Sequence, residues 1–399
     1  MRIGSSFLFP IIKIPRDINR YSLLMSVLIA LKFTQLSNII TPLFYAMMFV
    51  SVIFSLLLFS RKYNGYSSIA VLPLLFLLAG FFSLLVNPIR TEFRPIERYL
   101  LFVLMFIGTG PLLQSKGLSD FRMAVFNYMQ FFLVIISIGS FITFLLGPSF
   151  AYGNAGFKGL TAHSMDLSPI SALASLFLVD RIKSEHDSKC KTVYVIFLII
   201  TLITMVIAAS RGAILGFIAS FFLMSYVKDK KVGKIFKTFI LLSLVVALFV
   251  IINPLSMMDG LEAKMQRTEQ QDDFTGGREA SLEKRFLEFK ENPIFGVGFS
   301  SMKYTNVSDS GHFEPGSGWV FILSSMGLMG LILAMSLCFN AIMNTIKYRG
   351  TALVAATCLF FVIHSLIEGY ILTVGNGFCI YMWLTIGFAT DKKILVSYV

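Results

Sequence analysis

The run VYVIFLIITLITMVIAASRGAILGFIASFFLMSY, residues 193–226, contains a single charged residue, Arg211, between two apolar stretches. A helix needs about 20 consecutive, mostly apolar residues to cross a bilayer. Each stretch comes close to that length, so the run predicts two neighbouring membrane helices. Ser210, Arg211 and Gly212 would form the tight turn between them.

The rest of the chain repeats this pattern. Of its 399 residues, 56% are hydrophobic and 14% are charged, and the mean hydropathy is +0.77. Soluble globular proteins have about 25% charged residues. We therefore predict an all-α integral membrane protein, surrounded by membrane lipids, that forms one polytopic domain over residues 1–399. Its twelve expected spans lie at about 21–36, 38–60, 68–87, 98–115, 121–147, 166–181, 192–210, 212–228, 237–254, 317–343, 351–371 and 373–390.

The positive charges predict the orientation. With both termini in the cytoplasm, 21 of the 34 Lys and Arg residues fall on the cytoplasmic side, which agrees with the positive-inside bias. The N-terminus lacks the apolar core and cleavage site of a signal peptide, so it is interpreted as a cytoplasmic arm. One long loop, about 255–316, then lies outside and holds 11 of the 22 acidic residues. We expect chemistry on a polar substrate to take place there.

Several functional classes are disfavoured. The net charge of +12 comes from short basic clusters between apolar runs, so no nucleic-acid partner is expected. The four cysteines have neither zinc-site nor disulfide spacing, and no nucleotide-binding motif or metal cluster predicts a cofactor. No internal repeat is evident and few carboxylates fall inside the spans, which weighs against a transporter.

Arg211 is the first candidate site residue. A charged side chain inside an apolar run is unfavourable unless it is paired or faces a wet cavity. The guanidinium group matches phosphate oxygens with a planar fork of donors. The alternative is a plain turn from which Arg211 reaches the membrane interface. The residues alone leave both open.

The stretch GGREASLEKRFLEFKENPIFGVGFSS, residues 276–301, is the second candidate. It predicts an amphipathic helix at about 279–291, with an apolar face of Leu282, Phe286 and Phe289. Arg278 and Arg285 would point the same way, because seven residues are close to two helical turns. The alternative is that they pair with neighbouring acids on a solvated face.

Acidic and histidine side chains could supply a general base toward a sugar hydroxyl. His312 and Glu314 precede the tenth span and are the main candidates, and His163 and Glu368 are secondary ones. An ordinary exposed loop is the alternative for each, and His364 is expected to be a core histidine.

These motifs together resemble the O-antigen polymerase and ligase family of bacterial inner-membrane glycosyltransferases. The resemblance rests on the order of three features: the Ser-Arg-Gly at 210–212, the Arg-x10-Gly spacing of Arg285 and Gly296, and "NPIFGVG", which is similar to the family's Pro-x-x-Gly-x-Gly. The segment "GSGWVFILSSMGLMG", residues 316–330, is similar to the family's re-entry into the next membrane span. Ligases of the family usually carry a His at the start of this re-entry motif, where this chain has Gly316, with His312 four residues earlier. This departure favours a polymerase.

The resemblance implies a GT-C-like, metal-independent, inverting enzyme with no cofactor. It would transfer a growing surface glycan from undecaprenyl diphosphate onto a new lipid-linked repeat unit at the periplasmic face of the inner membrane. Arg211, Arg278 and Arg285 would bind the diphosphate, and Gly296 and Gly298 would leave room for it. Arg285, His312 and Glu314 would be catalytic, and a membrane chain-length regulator would be a partner. The alternatives are an O-antigen ligase with lipid A-core as acceptor, and a transporter of polysaccharide or lipid-linked oligosaccharide.

Overall fold

Long antiparallel helices form the protein, as a computed structural model shows. The structure describes residues 15–60, 66–87, 91–153, 156–230, 240, 279–304 and 316–391. The helices in these residues are α1 Arg16–Lys32, α2 Ser37–Ser60, α3 Val71–Val86, α4 Pro95–Gly108, α5 Lys116–Leu146, α6 Ser164–Ser184, α7 Ser188–Ile207, α8 Arg211–Asp229, α9 Glu279–Glu291, α10 Gly318–Thr345, α11 Ala352–His364 and α12 Gly377–Thr390.

Eleven of the twelve predicted spans coincide with one of these helices, and the ninth, about 237–254, lies outside the described residues except for residue 240. Within the described residues, five helices are long and apolar enough to cross a membrane: α2, α5, α7, α8 and α10. Many of their apolar side chains are exposed, Leu146 to 76% and Phe339 to 66%. Exposed apolar area on this scale suits a lipid environment. The described part of the chain is mostly helical, with five candidate membrane spans, which is consistent with an all-α membrane protein.

Short polar residues fix where the helices begin and end. The Ser115 hydroxyl accepts a hydrogen bond from the backbone N–H of Leu118 at the start of α5, and Gly147 ends this helix in the left-handed conformation with φ = 65°. Asn376 caps α12 through the N–H of Phe378. Such caps satisfy N–H groups that have no partner within the helix.

Small hydroxyl side chains join the helices inside the bundle. Ser137 on α5 bonds to Ser171 on α6 at 2.8 Å, and Ser175 on α6 bonds to Thr201 on α7 at 2.8 Å. Both pairs are buried. Small polar residues let helices approach closely and form interhelical hydrogen bonds, as is common in membrane bundles.

The bundle has two ends, which we name after one residue each. The Arg211 end holds the N-termini of α6, α8, α10 and α12, together with α9. It also holds a hairpin of β3 Tyr152–Gly153 and β4 Gly156–Phe157. The Asp391 end holds β1 Ser67–Ile69, paired antiparallel with β2 Leu113–Ser115.

A break in α10 is the main irregularity of the bundle. Gly327 has φ = 67° and ψ = −165°, which interrupts the helix about a third of the way along. Residues 293–298, which we name the docked segment, fill the break. Four backbone hydrogen bonds join the docked segment to α10. From the segment, Val297 donates to Ser324 (2.9 Å) and Gly298 donates to Ser325 (3.1 Å). From the helix, Leu328 donates to Pro293 (2.8 Å) and Met329 donates to Ile294 (3.4 Å). The helix's freed backbone groups are thereby satisfied, as an apolar environment requires.

Candidate functional site

Arg211 is the first residue of α8, and its side chain is exposed. The turn before it lies slightly earlier in the chain than the sequence predicts, because Ala209 has the left-handed φ of 52°. Among the described residues, no hydrogen bond or ion pair engages the Arg211 guanidinium. This cation therefore stands open at the end of an apolar helix, and helix N-termini attract anions.

Gly212 allows close packing and leaves no space for a side chain. A Cβ atom there would lie 3.0 Å from Cδ1 of Ile367, so the glycine lets α8 pack closely on the loop after α11. Gly216, one turn later, packs in the same way on the ring of Phe360. Both glycines fix the position of Arg211 beside the 365–368 turn.

Two carboxylates lie near this turn. Glu368 follows Ile367 directly, and its charge is close enough to that of Asp166, in the first turn of α6, for the two to repel each other. The carbonyl oxygen of Glu368 also accepts the N–H of Gly318 at 3.2 Å, which ties it to the start of α10. The N-termini of α6, α8 and α10 therefore converge on one acidic cluster.

Asp166 is the residue that sequence reasoning missed. It sits three residues after His163 in "HSMDLSP", at the start of a predicted span. His163 is exposed and its side chain does not cap α6. His364 is buried, as expected for a core histidine, with its ring stacked on Phe360 and its Nδ1 3.2 Å from the Tyr370 hydroxyl.

The helix α9 covers Glu279–Glu291, the residues that the apolar spacing indicates, but a different face is buried. Its two buried side chains are Arg285 and Glu288. Phe286 is 46% exposed and Leu287 is 45% exposed, whereas Leu282 and Phe289 are half-buried. The helix thus packs on the bundle with a charged pair and presents part of its apolar surface outward.

Arg285 and Glu288 form an ion pair with 2.6 Å between Nη1 and Oε2, and both side chains are fully buried. Burial lowers the pKa of Arg285, and the charge of Glu288 partly opposes this shift. The other Glu288 oxygen accepts the backbone N–H groups of Lys303 (2.5 Å) and Tyr304 (3.1 Å). Arg285 does pair with an acid, as the alternative interpretation expects, but inside the protein and not on a solvated face.

Gly296 also has a different role from the one predicted. A Cβ atom on Gly296, at φ = 67°, would lie 2.4 Å from the carbonyl carbon of Ser325, and one on Gly327 would lie 2.2 Å from the carbonyl oxygen of Ile294. Asn87 also donates a hydrogen bond to the Gly296 carbonyl at 2.8 Å. At Gly296 the "NPIFGVG" motif therefore places backbone against backbone in the α10 break and leaves no room for a lipid diphosphate, whereas a Cβ atom on Gly298 would come no closer than 3.5 Å to its neighbours.

Three predicted site residues, Arg278, His312 and Glu314, lie outside the described residues. Within the described ranges, no three His, Cys, Asp or Glu side chains lie together as they would to hold a metal ion.

Comparison with known proteins identifies a family for the part of the chain that contains these features. Residues 196–335 match the model of a family described as "O-Antigen ligase". No curated protein matches the chain. The matched region contains Arg211, α9, the docked segment and the break at Gly327, all of which the fold brings to one end of the bundle. Residues 196–335 are therefore similar to the O-antigen ligase family, in agreement with the resemblance that the motifs predict.

Proposed function

We propose that the protein is a surface-polysaccharide polymerase. The family implies a glycosyltransferase-like enzyme. In this proposal the enzyme transfers a growing glycan from undecaprenyl diphosphate onto a new lipid-linked repeat unit. The Arg211 end faces the periplasm, both termini are cytoplasmic, and the enzyme is inverting and metal-independent. The transporter alternative has no support from the family match.

The exposed position of Arg211 is the main support for a lipid-diphosphate donor. Leu215, one helical turn further along α8, is 56% exposed. A cation directly beside exposed apolar surface suits a ligand with an anionic head and an apolar chain. The guanidinium and the N-terminus of α8 would hold the diphosphate and stabilise the negative charge that develops when it leaves.

The acidic cluster beside Arg211 offers a base. In an inverting transfer, the acceptor hydroxyl attacks the anomeric carbon, the bond from that carbon to the diphosphate oxygen breaks, and the hydroxyl proton must go to a base. We propose Glu368 for this role, because the fold places this carboxylate residue at the N-terminus of α10 and directly after Ile367, which packs on Gly212 beside Arg211. His312 and Glu314 remain candidates for the same role.

Arg278 is proposed to bind the diphosphate beside Arg211. The corresponding assignment of Arg285 competes with its ion pair to Glu288, because a buried guanidinium that already holds a carboxylate needs a rearrangement to reach a phosphate. Variants of Glu288 separate the two roles.

The ligase alternative is supported by the description of the family that matches. Gene deletion distinguishes the two activities. Loss of a polymerase leaves single repeat units attached to the lipid A-core, whereas loss of a ligase leaves no attached glycan. A glycan ladder on a gel shows the difference directly.

Arg211→Ala tests the proposed donor site. We expect loss of the long glycan ladder, with partial recovery in Arg211→Lys, since lysine keeps the charge but not the planar fork. Lys228→Ala is the matched control at the opposite end of the same helix, where Lys228 pairs with Asp180 at 2.7 Å; it should leave the ladder intact. Full-length chains in Arg211→Ala, at normal protein level, would refute the donor site.

A further inference from the structure

A second group of cationic side chains lies at the Arg211 end, on α4. Arg94 precedes this helix with a left-handed φ of 46°, and the next residue is Pro95. This conformation is unfavourable for an arginine and disfavoured before proline. The Arg94 side chain is 74% exposed and reaches Glu97 only at 3.8 Å. A strained backbone thus presents a guanidinium to the outside.

Arg98, one turn further along, lies half-buried near Ser300 and α2. Its Nη1 is 3.5 Å from the hydroxyl of Ser300, a buried residue with a left-handed φ of 51° just after the docked segment. Its charge also acts on the phenol of Tyr45 on α2. The hydroxyl of Tyr45 in turn lies 3.1 Å from where a Cβ of Gly375 would be. Arg94 and Arg98 are close enough to repel each other.

The 365–376 loop separates this group from Arg211. At one end of the loop Ile367 packs on Gly212, next to Arg211, and at the other end Gly375 packs on Tyr45, next to Arg98. The two cationic groups therefore lie on opposite sides of one loop at one end of the bundle.

Both groups also adjoin exposed apolar surface. Ile96 is 47% exposed and Leu100 is 55% exposed, beside Arg94 and Arg98, just as Leu215 is exposed beside Arg211. Two like charges held together at such a boundary favour a doubly anionic head group, since Arg recognises phosphate oxygens bidentately. An apolar chain attached to that head can lie along the helix.

We infer that Arg94 and Arg98 form a second lipid-diphosphate site, distinct from that of Arg211. The identity of the lipid bound at this second site rests on the proposed polymerase function. Polymerisation joins two glycans that are each linked to a lipid diphosphate. Arg211 holds the donor, so Arg94 and Arg98 hold the diphosphate of the acceptor lipid.

The test counts bound lipid. The full chain is placed in phosphatidylcholine nanodiscs, undecaprenyl diphosphate is added, and native mass spectrometry measures the equivalents bound. We expect two equivalents for the wild type and one each for Arg94→Gln/Arg98→Gln and Arg211→Gln. Lys303→Gln is the matched control, an exposed cation at the same end, and should bind two. Arg94→Gln alone, which changes an exposed side chain, should weaken the second equivalent about five- to tenfold.

The outcomes separate this inference from the proposed function. Equal binding by the wild type, Arg94→Gln and the Arg94→Gln/Arg98→Gln variant overturns the inference. Two equivalents in Arg211→Gln, with one in Arg94→Gln/Arg98→Gln, support the second site and refute the donor assignment. Excess phosphatidylglycerol distinguishes the ligand source. If it displaces the second equivalent as readily as undecaprenyl diphosphate does, the site takes general lipid head groups and the inference falls.

Discussion

Removal of Glu288 should destabilise the protein far more than removal of the similar acid one turn later. Glu288→Ala removes the carboxylate that pairs with the fully buried Arg285, and breaking a buried ion pair costs about 3–5 kcal/mol. The N–H groups of Lys303 and Tyr304 also lose their acceptor, which adds about 1 kcal/mol or more for each that water cannot reach. The sum is at least about 4 kcal/mol.

Glu291→Gln is the matched control. Glu291 pairs with Lys303 at 2.5 Å, but both side chains are more than a third exposed. Surface ion pairs of this kind contribute about 1 kcal/mol or less. Equilibrium unfolding in mixed detergent micelles, followed by tryptophan fluorescence, measures both variants. If Glu288→Ala and Glu291→Gln lose the same stability, the buried pair does not hold α9 as described.

A second comparison separates structure from catalysis. Arg285→Met/Glu288→Met replaces the buried pair by apolar side chains of similar size, which is often neutral or stabilising. We expect stability near that of the wild type. If the double variant also makes the wild-type glycan ladder, Arg285 does not bind the diphosphate. If the protein is stable but makes no long chains, Arg285 acts on the substrate.

Two further substitutions test the described contacts. Gly327→Ala should lose about 3–5 kcal/mol of stability, because its Cβ would overlap the docked segment. Gly147→Ala is the control and should lose only about 1–2 kcal/mol, because Gly147 has a similar φ and nothing lies within 4 Å of its Cβ position. Equal losses in an unfolding titration would contradict the packing at the break. Asp391→Ala should lose more stability than Asp391→Asn. The buried Asp391 carboxylate accepts hydrogen bonds from the hydroxyls of Tyr66 and Ser119, and asparagine keeps one acceptor oxygen. The reverse order in the same titration would show that the two hydroxyls have other partners.

Helix positions could be predicted from the sequence because each apolar run stands out against polar loops. The bounds of α2, α5, α8 and α10 agree with the predicted spans within about five residues. The apolar spacing predicted the bounds of α9 equally well, although not the face that it buries. These features depend on residues that are near each other in the chain, which is the information that periodicity contains.

The break in α10 could not be predicted in this way. "WVFILSSMGLMGLILAM" has the composition of one continuous helix, and a glycine is tolerated in a membrane helix. Only the approach of residues 293–298, from another part of the chain, explains why Gly327 must lack a side chain. The burial of Arg285 and the approach of Asp166 to Glu368 also depend on tertiary packing. Composition favours a charged residue on the surface, so it predicts the opposite for Arg285.

The break in α10 has a consequence for how the protein is made. The ribosome synthesises the docked segment some 30 residues before the middle of α10, so this segment is already present when α10 enters the membrane. The amides of Leu328 and Met329 can then pair at once with the carbonyls of Pro293 and Ile294. If α10 preceded the docked segment in the chain, the broken helix would lie in lipid with unpaired amides until the segment was synthesised. The order of the motif and the helix along the chain thus suits biosynthesis as well as the finished fold.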